Sequence, residues 1–169
     1  MSYSRRGFQR VEPGPGQESV WDFPRPPRVE AEIRTVKIIF NQQTIVETDG
    51  ALRVLETSHP PNIYVPRGAV SPEVLRRNNQ RTLCEWKGFA VYWDVLVGSR
   101  TAESSAWSYA EPRPGYEELS GFVSFYPALM DRCYLGDEVV TPQPGSFYGG
   151  WITSDVVGPF KGAEGTRGW

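Results

Sequence analysis

The most regular alternation of hydrophobic and polar side chains lies in residues 82–97, on either side of a break at Lys87-Gly88. After the break, two sets of side chains fall on opposite faces: Phe89, Val91, Trp93, Val95 and Val97 on one, and Ala90, Tyr92, Asp94 and Leu96 on the other. A period of two over these nine residues, which are rich in aromatic and β-branched types, predicts a long β-strand. A short polar strand precedes the break, so a central hairpin is expected.

The remaining pattern predicts short strands and one short helix. Strands are expected at 36–40, 44–48, 121–126 and 131–135, the first two as a hairpin. The apolar run 51–56 fits either a helical turn or a strand. Ser71 as N-cap and Pro72 at the first helical position predict a short helix that ends near Asn78.

Composition supports a single domain with tails. The chain has 15 prolines and 17 glycines among 169 residues, which favours many short strands over long helices. We expect a disordered tail over 1–18, a β-rich domain over 19–141 with a leading proline-rich arm, and a glycine- and aromatic-rich extension over 142–169 packed on that domain. Trp21 and Phe23 are expected to hold the arm, residues 20–27, across its own domain.

Charge and cysteine content exclude several classes of partner. The formal charge is −2, which gives no electrostatic case for binding nucleic acid or an anionic membrane, and no apolar run approaches the ~20 residues of a membrane span. Cys84 and Cys133 form neither a disulfide framework nor paired zinc knuckles. We therefore expect a cytoplasmic protein with reduced thiols and no metal or cofactor. Residues 4–8 resemble the start of a twin-arginine export signal but lack the apolar segment that must follow.

Three residues are candidates for catalysis. A thiolate nucleophile needs a nearby base or cation, and Cys84 lies three residues from Lys87, while His59 is the only histidine. The alternative is a buried cysteine on a strand, a lysine that belongs to a turn and a histidine that bonds to loop backbone.

A second group of residues is typical of a small-molecule pocket. Aromatic walls with a few placed charges are the usual lining of such pockets, and charges are seldom buried unpaired. The candidates for ligand binding are Arg53, Glu56, Tyr64, Lys87, Tyr92, Trp107 and Tyr109. We expect Glu56 and Lys87 to form an exposed pair when the pocket is empty. The alternative is that the aromatic residues fill the core of a small barrel.

Several motifs, in consistent order over about residues 20–169, resemble the family called domain of unknown function 427. They are Leu55-Glu56-Thr57-Ser58-His59-Pro60-Pro61, Tyr64-Val65-Pro66, Cys84-x-x-Lys87-Gly88-x-Ala90-x-Tyr92, Ala106-Trp107-x-Tyr109 and Val123-x-Phe125-Tyr126. The segment 147–162 is similar to an extension found in one branch of the family. The resemblance implies a fold similar to β-tent or Mss4-like domains, some of which hold zinc between hairpins; the cysteine pairs for zinc are missing here.

The expected fold class is therefore mainly β: an antiparallel, β-tent-like open barrel with one short helix and extended N- and C-terminal tails. The family is sometimes filed under a nucleotidyltransferase heading. The chain has no Asp-x-Asp pair for metal-dependent nucleotidyl transfer and no phosphate-binding Gly-x-x-x-x-Gly-Lys-Ser/Thr loop, so its residues do not support that activity.

The function predicted from the sequence is the binding of a small ligand, a polar or cyclic metabolite. An enzyme acting through Cys84 or Lys87 is the alternative from another class. A protein-interaction module is the third, with a possible homo-oligomer formed through the aromatic tails.

Overall fold

Short strands dominate the computed structural model, which describes residues 9–169 of the chain. The strands in chain order are β1 (Glu18–Ser19), β2 (Arg28–Ala31), β3 (Val36–Phe40), β4 (Gln43–Thr48), β5 (Leu52–Leu55), β6 (Asn62–Pro66), β7 (Leu75–Cys84), β8 (Gly88–Val97), β9 (Arg100–Ser108), β10 (Phe122–Phe125), β11 (Arg132–Leu135), β12 (Glu138–Val139), β13 (Thr141–Pro142), β14 (Trp151–Ile152) and β15 (Val156–Val157). Single 3₁₀ turns span Val20–Asp22, Arg67–Ala69, Pro72–Val74, Glu117–Leu119 and Pro127–Leu129.

A seven-stranded antiparallel sheet, in the order β2-β5-β6-β10-β9-β8-β7, is the main layer. A four-stranded sheet, β12-β11-β3-β4, covers one of its faces. The pair β1–β15 joins the N-terminal arm to the C-terminal segment, and the pair β13–β14 lies near the C-terminal end of the chain. The sheets do not close into a barrel. The predicted fold class, mainly β and open, is therefore confirmed.

Strand β8 follows the predicted alternation. Trp93, Val95 and Val97 are buried in the core between the two sheets, together with Val36, Ile38, Phe40, Phe125, Leu135 and Trp151. Ala90 and Tyr92 face the other way, into an aromatic cluster with Tyr64, Trp107, Tyr109 and Tyr116. The seven-stranded sheet thus has two apolar faces, and the second sheet covers only one of them.

The helix predicted from Ser71 to Asn78 is wrong beyond its first turn. Pro72–Val74 forms a 3₁₀ turn, and the Ser71 side chain makes no capping hydrogen bond. Residues 75–84 instead form β7, which pairs with β8 from Leu75 opposite Val95 to Cys84 opposite Gly88. This segment is largely polar and offers no apolar stripe at helical spacing, so pairing with β8 decides its structure. The ambiguous segment 51–56 is resolved as a strand, β5.

The N-terminal arm packs on its own domain. Val20 and Phe23 are buried against Leu55 and Val156. Upstream of the arm, Arg10 Nη2 donates to Asp22 Oδ2 at 2.7 Å. Residues 1–8, which hold the arginine pair and much of the expected tail, lie outside the described residues, and the domain boundary near residue 18 stays a prediction.

The C-terminal segment, residues 142–169, lies against the main sheet and the loop before β6. Trp151 is 1% exposed, its backbone N–H donates to the Pro61 carbonyl at 2.8 Å and its indole N–H donates to the Phe125 carbonyl at 3.1 Å. The Lys161 backbone N–H donates to the Ser58 carbonyl at 2.9 Å. In residues 9–169 we find no helix with the length and hydrophobicity that a membrane crossing requires.

Candidate functional site

A cleft of about 250 Å³ opens on the face of the seven-stranded sheet that the four-stranded sheet leaves uncovered. Its walls are aromatic: Trp86, Tyr92, Trp107, Tyr109, Tyr126, Phe147 and Tyr148. Its polar lining includes Glu56, His59, Asn62, Thr82, Cys84, Lys87 and Lys161. We call this site the aromatic cleft.

Three parts of the fold build the aromatic cleft. The β7–β8 hairpin supplies Cys84 at the end of β7, Lys87 in the turn and Tyr92 in β8. Tyr92 reaches the cleft because, like Ala90, it points away from the main core. The loop between β5 and β6 supplies the polar residues around His59. The C-terminal segment then closes one side with Tyr148.

The structure brings most of the predicted ligand-binding residues together. Glu56, Lys87, Tyr92, Trp107 and Tyr109 all line the aromatic cleft. The three catalytic candidates, Cys84, Lys87 and His59, line it as well.

Two of the predicted residues lie elsewhere. Tyr64 is fully buried beneath the cleft, where its hydroxyl accepts a hydrogen bond from the Trp107 indole N–H at 3.1 Å. Arg53 lies opposite Glu30 in the β2–β5 pair, and its guanidinium binds Glu30 and Glu18. Arg53 is therefore engaged in a surface network of ion pairs.

Lys87 is the most unusual residue of the site, because its side chain is charged yet only 5% exposed. Its Nζ lies 5.7 Å from the centre of the Tyr109 ring, at cation–π distance. The expected exposed pair with Glu56 is wrong: Lys87 is buried, and the Glu56 carboxylate lies instead 4.0 Å from His59 Nε2. Among residues 9–169 no carboxylate is within ion-pair distance of the Lys87 ammonium.

The Lys87 ammonium keeps its proton at neutral pH. Burial disfavours the charged form, but Tyr64, Cys84 and Glu56 favour it more strongly, so the net pKa of Lys87 is raised. A lysine that acts as a nucleophile needs a lowered pKa. The site therefore presents a fixed cation rather than a reactive amine.

Gln143 determines which nitrogen of His59 carries the hydrogen. The Gln143 Oε1 accepts from the Gly150 backbone N–H at 3.0 Å, so its amide nitrogen faces the Lys161 carbonyl at 2.7 Å and His59 Nδ1 at 3.1 Å. An amide nitrogen only donates, and Nδ1 must therefore accept. The imidazole hydrogen consequently lies on Nε2, on the side of the ring that faces Glu56.

His59 is neutral over the physiological pH range. Burial lowers the pKa of His59 to about 3, and the positive charges of Lys161, Lys87 and Arg25 act in the same direction. The only unprotonated ring nitrogen is occupied by Gln143, so His59 is not arranged to accept a proton from Cys84. The second thiol, Cys133, lies in the other core, where burial raises its pKa.

Contacts between aromatic rings join the C-terminal segment to the walls of the aromatic cleft. The Trp107 and Tyr126 rings lie 4.6 Å apart, and the Tyr126 hydroxyl donates to the Phe147 carbonyl at 2.9 Å. His59 and Tyr148 meet edge to face at 4.7 Å. A Cβ at Gly149 would lie 2.5 Å from the Trp107 ring, so this close approach requires glycine.

Sequence reasoning did not assign five further residues to the candidate site. Asn62, Tyr126, Tyr148 and Lys161 line the cleft, and Gln143 orients one of its side chains. The aromatic density of 147–160 indicated that the segment packs on the domain but not where it packs. Among residues 9–169 no three His, Cys, Asp or Glu side chains are grouped so that they could hold a metal ion, and the expected lack of zinc stays a prediction.

Comparison with known proteins gives a family but no activity. A family model described as a domain of unknown function (DUF427) matches residues 28–136, well over half of the chain. The family expected from the motifs is thereby confirmed. No protein of curated function matches significantly. The matched region ends after β11, so Gln143, Tyr148 and Lys161 lie outside it.

Proposed function

The chain belongs to the family described as a domain of unknown function (DUF427), and because that description names no activity, we propose from the geometry of the aromatic cleft that it binds a small cyclic ligand carrying an anionic oxygen such as a carboxylate. The observation that carries this proposal is the Lys87 ammonium, which is buried and has no carboxylate partner among the described residues.

In the empty protein the Lys87 ammonium has no carboxylate of the described residues in contact, so its N–H donors are available to a ligand. Removing an ammonium from water costs several kcal/mol unless hydrogen bonds and an opposite charge compensate for it. A ligand carboxylate that enters the cleft supplies both, and a hydrogen bond to a charged group contributes about 1.5–3 kcal/mol. An anion that binds in the cleft therefore gains a charge-assisted hydrogen bond that no group of residues 9–169 makes with Lys87.

The size and walls of the cleft indicate a ligand with one ring. Pockets for drug-sized molecules enclose ~300–1,000 Å³. The aromatic cleft encloses about 250 Å³ and is lined by the rings of Tyr92, Trp107 and Tyr126. A single planar or saturated ring with one acidic group matches this space better than a nucleoside triphosphate does.

An enzyme that uses Cys84 is the second candidate, because this thiol lines the same cleft as Lys87. Loss of turnover in Cys84→Ser with unchanged ligand binding would favour that candidate. A cytoplasmic location is also part of the proposal, and the free thiols of Cys84 and Cys133 support it. An oligomer formed through the aromatic tails stays a prediction.

The proposal predicts that the cleft distinguishes acids from matched neutral amides. Benzoate and cyclohexanecarboxylate should bind about tenfold or more tightly than benzamide and cyclohexanecarboxamide, since only the acids pair with Lys87. Isothermal titration calorimetry on the wild-type protein measures these affinities. Lys87→Met should remove the preference, whereas Lys37→Met, which removes a charge outside the cleft, should keep it.

The stability of Lys87→Met provides the internal control. Methionine has a similar length and no charge, so the variant should keep the packing of the side chain and unfold in one cooperative thermal transition, which shows that it is folded. Acids that bind no better than amides, or a preference that persists in Lys87→Met, would contradict the anion site.

A further inference from the structure

We infer that the aromatic cleft also recognises a hydroxyl group, held between His59 Nε2 and the Glu56 carboxylate, so that the ligand class is a small cyclic hydroxy acid. This inference rests on the proposed anion site and adds a second point of recognition to it. It assigns a role to two polar groups of the same turn, which lie 4.0 Å apart at the cleft without bonding directly.

The spacing of these two groups leaves room for one oxygen atom. His59 Nε2 lies 4.0 Å from Glu56 Oε2, which is too long for a hydrogen bond. An oxygen placed between them can lie about 2.8 Å from each atom, at ordinary hydrogen-bond length. Both side chains line the cleft, so a bound ligand reaches this position.

The chemistry of the two groups selects a hydroxyl. The Nε2–H of His59 only donates, and the Glu56 carboxylate only accepts. A hydroxyl does both at once, whereas a carbonyl oxygen satisfies only His59 and an ammonium satisfies only Glu56. A second carboxylate at this position would be repelled by Glu56.

Gln143 is the positioning residue of the hydroxyl site, because it directs the hydrogen of His59 to Nε2. Its amide fixes the His59 hydrogen on Nε2 through a bond to Nδ1, and the amide itself is held by Gly150 and the Lys161 carbonyl. Gln143 is 4% exposed and lies in the C-terminal segment, beyond the matched family region. Recognition of the hydroxyl therefore depends on a segment outside the family domain.

Matched pairs of acids test the inference. The probes are benzoate, 3-hydroxybenzoate and 4-hydroxybenzoate, with affinities measured by calorimetry. At least one hydroxy acid should bind the wild type about tenfold or more tightly than benzoate. In Glu56→Leu this ratio should fall to about one, and in Glu47→Leu, which changes a carboxylate outside the cleft, it should be unchanged.

Nuclear magnetic resonance of His59 provides a readout that does not depend on a ligand. As the only histidine, His59 gives one pair of imidazole ¹⁵N signals, and the wild type should show Nε2 protonated and Nδ1 unprotonated. In Gln143→Glu the new carboxylate accepts from Nδ1–H, so the hydrogen should leave Nε2 and the hydroxy-acid preference should disappear.

The possible failures are distinguishable. Equal wild-type affinity for benzoate and both hydroxybenzoates would overturn the hydroxyl site and leave the anion site standing. A preference that survives both Glu56→Leu and the tautomer change in Gln143→Glu would also overturn it. If none of the acids binds, the anion site fails, and the hydroxyl site fails with it. If Gln143→Glu does not fold, Glu56→Leu decides the question.

Discussion

Replacing Trp151 with alanine should lower the free energy of unfolding by about 3 to 5 kcal/mol, the range for truncating a large buried aromatic side chain. Trp151 is 1% exposed in the core between the two sheets, and its indole N–H donates to the Phe125 carbonyl. The substitution removes that bond and leaves a cavity. Chemical denaturation followed by circular dichroism measures the change.

A matched control comes from the same segment. Phe147 is 61% exposed, so Phe147→Ala should change the free energy of unfolding by no more than about 0.5 kcal/mol. Equal stability of Trp151→Ala and the wild type would mean that the C-terminal segment does not contribute to the folded core.

Acid should destabilise the wild-type protein through His59 by about 1.4 kcal/mol per pH unit below pH 6.5. Burial lowers the pKa of His59 from 6.5 to about 3, so between these values the unfolded chain binds a proton that the folded protein excludes. Stability is therefore fully present above pH 6.5 and falls as the pH falls. From about pH 7.5 to about pH 5, above most carboxylate titrations, the loss should be about 2 kcal/mol.

The comparison with His59→Gln isolates this effect, because the chain has no other histidine. The variant is expected to start from a lower stability and to lose about 2 kcal/mol less than the wild type over the same pH interval. Urea denaturation at several pH values measures both slopes. Parallel slopes for the two proteins would contradict a neutral, buried His59.

Local pattern predicted the strands that carry the site. The alternation around Tyr92 and Trp93 placed aromatic side chains on both faces of β8, and the structure has them there. The motif around Lys87 fixed the turn of the hairpin. These features depend on a few adjacent residues, so a sequence shows them.

Features that depend on distant partners could not be predicted in the same way. Arg53 was predicted to bind a ligand, but Glu30 of β2 lies opposite it and accepts a hydrogen bond from its guanidinium. Lys87 was expected to be exposed, but the Arg113 backbone N–H donates to its carbonyl, and that segment helps to enclose the turn. The helix predicted after Ser71 was replaced by a strand because β8 provides a pairing partner.

The position of the hydrogen on the His59 ring is another feature that depends on a distant partner. No local signal in the loop before β6 indicates which nitrogen is protonated. Gln143 lies 84 residues away, and the bond that it donates becomes evident only when the C-terminal segment packs against that loop. The polar chemistry of the cleft is therefore a property of the whole fold.

A crystal structure of the complex with the tightest-binding acid of the panel tests the anion site most directly. We expect a carboxylate oxygen about 2.7–2.9 Å from Lys87 Nζ, the length of a charge-assisted hydrogen bond, with the ring packed against Trp107 and Tyr126. A carboxylate bound at Lys161 or outside the cleft, with Lys87 Nζ unengaged, would contradict it.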